Sequence, residues 1–170
     1  MRTGDLLSQL GYFSMSHIPF CIARVGEPIN DLEQCDVHFV ANELPNAEAV
    51  IEFLQNTRER FATHIADSNA ELPDDERIDL SSIEGFGVQL TNRFGGVIEF
   101  GLGRRFSLLI RLAPKPTKIY RKPTDKQGSL VFFIDGWHHT EMEISDLISR
   151  HESLIALRYW LESNMLPDSQ

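Results

Sequence analysis

Apolar residues recur along this chain at two periods, and the change of period marks out its elements. Val50, Phe53, Leu54, Thr57, Phe61 and Ile65 fall three and four apart, with Glu48, Glu52, Arg58 and Glu59 on other faces. That spacing predicts an amphipathic helix over residues 46–67. Short β-rich runs predict strands at 86–91, 97–102 and 106–112, with turn signals at Asn92-Arg93-Phe94-Gly95-Gly96 and at Gly101-Leu102-Gly103 between them. A meander of antiparallel hairpins is the economical arrangement. Two weaker strands precede the helix. Residues 17–25 contain Pro19, which suits an edge position, and residues 35–41 alternate with Val37 and Phe39 inward against Asp36 and His38. Residues 5–10 read as one or two helical turns, and residues 118–120 as a weak strand among Pro114, Pro116 and Pro123.

The last forty-odd residues carry the sharpest pattern. Residues 129–134, SLVFFI, form a β-branched and aromatic run that predicts a strand buried on both faces, broken by Asp135-Gly136 and followed by a short strand at 138–143. From Ser145 the period lengthens. Leu147, Ile148, His151, Leu154, Ile155, Arg158 and Leu161 line one stripe, widened by Ala156, Leu157 and Trp160, so a helix over 145–164 is predicted, with Ser145 as N-cap and Asn164 as stop. The fold class expected is α+β, an antiparallel sheet of about six strands with two main helices packed against it. A single domain spans 1–170, with 1–34 an unassigned N-terminal extension and 35–170 the core.

The order Leu130-Val131-Phe132-Phe133, Asp135-Gly136-Trp137-His138, Thr140-Glu141, a helix containing Ala156 and Leu161, then Leu166-Pro167 resembles the C-terminal half of the first immunity-protein family of bacterial polymorphic toxin systems. The resemblance implies a protein that works by binding: an immunity protein that holds a cognate toxin domain, commonly a nucleic-acid deaminase, and blocks its active site.

Composition narrows the alternatives. The 170 residues carry a formal charge of −9, unevenly spread. Asp67, Glu71, Asp74, Asp75, Glu76, Asp79 and Glu84 form an acidic stretch opposed only by Arg77, whereas Arg104, Arg105, Arg111, Lys115, Lys118, Arg121, Lys122 and Lys126 oppose only Asp125. An acidic chain disfavours direct nucleic-acid binding and suits a basic protein partner. No apolar run is long enough for a membrane span and the N-terminal residues lack a signal-peptide pattern, so a cytoplasmic protein is expected. Cys21 and Cys35 form no Cys-x-x-Cys pair and read as buried free thiols.

Ligand-type residues concentrate at Asp135, His138, His139, Glu141 and Glu143. Adjacent histidines on a strand point to opposite faces, so at most one can serve a given site. Neither a P-loop, a Gly-x-Ser-x-Gly elbow nor a zinc-deaminase motif is present; Gly101-x-Gly103 opens a strand, where a dinucleotide fingerprint must open a helix. No enzyme, metal or cofactor is therefore expected. The partner-binding surface is expected at Asp135, Trp137, His138, His139 and Glu141, with Asp74, Asp75 and Glu76 steering association; Trp137 is the aromatic anchor, and Trp160 belongs to the core. Two other readings stay open: a small metal-dependent hydrolase using the turn at 135–143, and an adaptor subunit of another complex.

Overall fold

In the computed structural model, residues 18–28, 37–122, 124–134 and 138–167 are described. The chain order is β1 (Cys21–Pro28), β2 (Val37–Leu44), α1 (Ala47–Glu71), β3 (Ile83–Asn92), β4 (Val97–Gly103), β5 (Phe106–Ala113), β6 (Lys118–Ile119), β7 (Ser129–Ile134), β8 (His138–Glu143), β9 (Ile148–Ser149) and α2 (Arg150–Ser163). This is an α+β fold built on one mostly antiparallel sheet. Its nine described strands exceed the six or so expected for the sheet: all eight strand-like segments of the sequence, weak ones included, join it, and β9 adds a two-residue pairing with β5.

β3 is the hub. One of its edges pairs antiparallel with β4 from Gly85↔Gly103 to Thr91↔Val97. The other edge is shared: β1 takes the C-terminal half antiparallel, from Cys21↔Asn92 to Arg24↔Gln89, while β7 takes the N-terminal half in parallel, from Ile83↔Val131 to Phe86↔Phe133. β5 divides its far edge in the same way between β6 and β9.

Period-two patterning then sorts the side chains. Phe86, Val88 and Leu90 of β3, Ile98, Phe100 and Leu102 of β4 and Leu109 of β5 are buried in one core with Val50, Leu54 and Phe61 of α1 and Ala156, Leu157, Trp160 and Leu161 of α2. The opposite face is covered by the chain itself, where Leu108, Leu130, Phe132 and Leu147 form a second core flanked by Ile134 and Met142. Room for it comes from glycine. Gly85↔Gly103 and Gly87↔Gly101 are cross-strand pairs on that face, and a Cβ on Gly101 would stand 2.9 Å from the Phe132 ring while one on Gly87 would stand 2.7 Å from the Ile134 side chain. Gly101-Leu102-Gly103 is thus the end of β4, and the turn expected there falls at Arg104-Arg105.

Local signals account for the helix ends. Asn46 Oδ1 accepts from the Ala49 N–H at 2.8 Å and starts α1. In α2 the cap is Ser149, whose hydroxyl accepts from the Glu152 N–H, while the Glu152 carboxylate accepts from the Ser149 backbone N–H and, at 2.7 Å, from its hydroxyl, a reciprocal capping box. The expected cap at Ser145 is therefore corrected. Leu147 and Ile148 precede the helix, one in each core, and the buried face of α2 is Ser153, Ala156, Leu157, Trp160 and Leu161, while His151, Ile155 and Arg158 of the expected stripe are exposed. α2 ends as expected at Asn164, in the left-handed region at φ 59°, with its N–H donating to Trp160 O. Asn92 joins this end to the β3–β4 turn: its amide donates to Trp160 O and Asn164 Oδ1, and its oxygen accepts from the Phe94 and Gly96 N–H groups.

The strand expected at 35–41 runs to Leu44, and Phe39, expected inward, is 40% exposed with the Arg24 guanidinium 5.3 Å from its ring. Residues 5–10 and Cys35 lie outside the described residues, as do the side chain of Val37 and residue Asp36.

The glycine floor sets the sign of one substitution. In an ordinary strand Gly→Ala stabilises by about 0.5–1 kcal/mol, but Gly101→Ala is expected to destabilise by about 1–3 kcal/mol through overpacking against Phe132. Urea unfolding measures it, and Phe132→Leu in the Gly101→Ala background is expected to recover part of the added loss.

Candidate binding groove

The divided edge of β3 also creates an opening. β1 leaves β3 after Arg24 but stays paired with β2 as far as Pro28, so the hairpin peels away from the sheet. α1 runs above it. Between hairpin and helix lies a groove of about 700 Å³, walled by Val25 and Val40 on the strands and by Phe53, Thr57 and Phe61 on the helix. Phe86 also lines it, and Arg60, Thr63, His64 and Asp67 add polar and charged groups from the C-terminal half of α1. Apolar walls with a few polar groups are what a binding cleft requires.

The aromatic lining continues into β7 and β8. Phe61 lies with its ring centroid 4.7 Å from that of Phe86 and 5.2 Å from that of Phe133, and Phe133 meets the His139 ring edge-on at 5.6 Å. His139 thus faces the helix side of the sheet. His138, paired with Ile134, points to the other face, as the alternation of a strand demands. Glu141 accepts a hydrogen bond from the Ser129 hydroxyl across the β7–β8 pair. Asp135 and Trp137 lie outside the described residues. Among the described residues no group of three or more His, Cys, Asp or Glu side chains is arranged to hold a metal ion.

The acidic stretch is more divided than its sequence suggests. Asp74 is paired with Arg77 at 2.7 Å, and Arg77 also donates to Leu72 O and Ala70 O, the carbonyls at the C-terminal end of α1. Asp75 and Glu76 are exposed. Glu84 is not part of that surface at all. It is 2% exposed in β3 and accepts from the backbone N–H groups of Arg105 and Phe106, the second at 2.8 Å, which pins the β4–β5 turn. Neither the groove nor Arg60, Thr63, His64 and Asp67 was among the site features expected from the sequence. Those four recur at three- and four-residue spacing on one face of α1, the signal available, but the peeled hairpin that turns this face into a wall is set by pairings far apart in the chain.

Among the described residues Cys21 is a free thiol, buried in β1, and burial pushes it up to about 12. A thiol so protonated is no nucleophile near neutral pH. Cys21 is expected to resist iodoacetamide in the folded protein at pH 8 and to be alkylated once urea unfolds it, as peptide mass mapping will read. Because the folded value lies above the unfolded one, this thiol's contribution to stability is complete below about 9 and is lost as pH rises toward about 12. Compared with family models, with curated proteins and with solved structures, the chain gives no match, so the reading of the groove rests on its own geometry.

Proposed function

We propose that this protein is a stoichiometric binding protein of the immunity type, which holds a cognate bacterial toxin domain and blocks access to its active site. The observation that carries the reading is the groove between the N-terminal hairpin and α1: open, walled by Phe53, Phe61, Val25 and Val40, and edged with charge. β2 stands beside it as the last strand of the sheet, with no partner on its outer side among the described residues. An open edge strand offers a row of backbone donors and acceptors to a second chain, and an adjacent apolar groove offers pockets for its side chains.

Further support comes from charge and from the C-terminal pattern. A chain at −9 attracts a basic partner, and a toxin that acts on nucleic acid presents a basic substrate surface. A nucleic-acid deaminase is the toxin class that the sequence resemblance favours. Within this reading His139 reaches the groove through Phe133 and Phe61, whereas Asp75 and Glu76 act at a distance as steering charges.

Growth of a bacterial host making the toxin domain encoded beside this protein is expected to recover when the protein is co-expressed; equal toxicity with and without it would refute the reading. Thr63→Trp, exposed on the groove wall, is expected to leave the fold intact and to weaken the complex about tenfold or more, chiefly through faster dissociation. Joint neutralisation by Asp75→Asn and Glu76→Gln is expected to slow association a few-fold at most, at about 8 Å Debye screening, without changing dissociation. Surface plasmon resonance across a salt series separates the two effects.

A further inference from the structure

The outer edge of β2 lacks the devices that keep exposed strand edges apart. Such edges are usually short, bulged, or guarded by Lys or Pro. β2 is eight residues long, pairs with β1 from Cys21↔Leu44 to Pro28↔Val37 without a register shift, and has the sequence VHFVANEL, with Glu43 as its carboxylate and neither Lys nor Pro. Among the described residues no strand lies on its outer side. The backbone groups of that side suit a further strand, and the side chains beside them determine which one.

On the face away from α1, Phe39, Ala41 and Glu43 of β2 stand level with Gly26, Arg24 and Ile22 of β1. Arg24 turns away from Glu43 of its own chain: its guanidinium lies 5.3 Å from the centre of the Phe39 ring, and its Nη1 donates to Gln89 Oε1 at 3.4 Å. Phe39 is 40% exposed, and Ala41 and Glu43 are exposed beside it. A second β2, laid antiparallel about a twofold axis at Ala41 perpendicular to the sheet, keeps residues 38–44 of both copies in the pairing. It sets Ala41 against Ala41 and Phe39 against Glu43 of the second copy, with opposed residues on one face. That carboxylate arrives beside the ring that Arg24 covers, and the symmetry makes the contact twice. Moving the axis to Val40 sets Glu43 against Val37 instead, and moving it to Asn42 keeps only residues 40–44 paired.

We infer that two copies of this chain join through β2 into one continuous antiparallel sheet, with Arg24 of each copy paired to Glu43 of the other. Both α1 helices and both grooves then lie on the same face of the joined sheet. A formal charge of −9 on each copy opposes association at long range, so the backbone ladder and the two ion pairs act against a repulsion that salt screens. A toxin strand and a second copy would take the same edge and exclude each other; the dimer itself belongs to the protein alone and stands whether or not the groove holds a toxin.

Sedimentation velocity of the full chain from about 5 µM to about 500 µM is expected to show monomer converting to dimer, at the modest affinity of a small interface opposed by like net charge. Arg24→Glu and Glu43→Arg each make both cross-copy pairs repulsive and are expected to weaken the dimer about tenfold or more, with unchanged circular dichroism spectra. Mixed in equal amounts, these two variants are expected to form a heterodimer about as tight as the dimer of the unaltered protein, because each supplies the charge that the other has reversed. A monomer at every concentration, the result if residues 1–17 or no chain at all covers the edge, would overturn the inference. So would a dimer that both reversals leave intact, or a mixture of the two variants that stays monomeric. Should either reversal fail to fold, Ala41→Lys, at an exposed position on the axis, is expected to abolish the dimer by setting two like charges together, and a dimer that survives it overturns the inference as well.

Discussion

The packing of Phe132 over the paired glycines of β3 and β4 is the constraint on which the rest of this structure depends. A sheet covered by helices on one face and by its own chain on the other needs space on the second face, and the missing side chains of the cross-strand pair Gly87 and Gly101, against Ile134 and Phe132, supply it. Each glycine costs about 0.5–1 kcal/mol of strand stability relative to Ala. Burying a Phe side chain completely, as Phe132 is buried, returns about 1.5–3 kcal/mol, and Leu108, Leu130 and Leu147 add to the same layer. The exchange also fixes direction. With Phe132 turned to the glycine floor, Phe133 must turn to the opposite face, where it meets Phe61 of α1 and carries His139 with it.

From that seat of β7 follows the division of the β3 edge. Since β7 occupies the N-terminal half, β1 can pair only with the C-terminal half, and its remaining residues continue with β2 alone. The groove is the space left by this competition. At the other end of β3, Asn92 holds the β3–β4 turn and the C-terminus of α2 together through four hydrogen bonds, each of the order of 1 kcal/mol and costly to leave unmade in a buried position. One strand therefore anchors both helices and both cores, while one stretch of its edge stays unpaired by design of the register.

Much of the fold was legible because its signals are local. Val50, Leu54, Thr57 and Phe61 are buried at the helical spacing that announced them, and β3, β4 and β5 lie within a few residues of their expected positions. Errors came where two local signals competed. Ser145 and Ser149 both lie at the start of the apolar stripe, but only Ser149 has Glu three positions later to complete a capping box, and that partner decides. Gly101 and Gly103 looked like a turn because glycine usually is one; here they are strand, Gly101 required by Phe132, whose position is set thirty residues away, and Gly103 by the close approach of Phe106 O and the Glu84 side chain. The groove was illegible for the same reason. Its walls come from residues 25–42 and 53–67, and only the register of β1 against β3 and β2 brings them to face each other.

Charge shows how far composition misleads when burial is unknown. Of the run from Asp67 to Glu84, Asp74 is paired with Arg77, Asp79 caps the turn at Ser81, and Glu84 is buried beneath the β4–β5 turn, leaving Asp75 and Glu76 among the unengaged, exposed charges. The basic block is likewise partly spent, with Arg121 on Asp146 and Lys122 on Glu152 at the surface, where such pairs contribute about 0–1 kcal/mol. Arg104 and Arg105 differ, since they stand at a turn whose own backbone is held by a buried carboxylate. Water screens the surface pairs, but screening falls with burial. The buried Glu84 carboxylate, which takes the backbone N–H groups of Arg105 and Phe106, therefore does more to hold this structure than the exposed pairs, although composition alone counts all these charges alike.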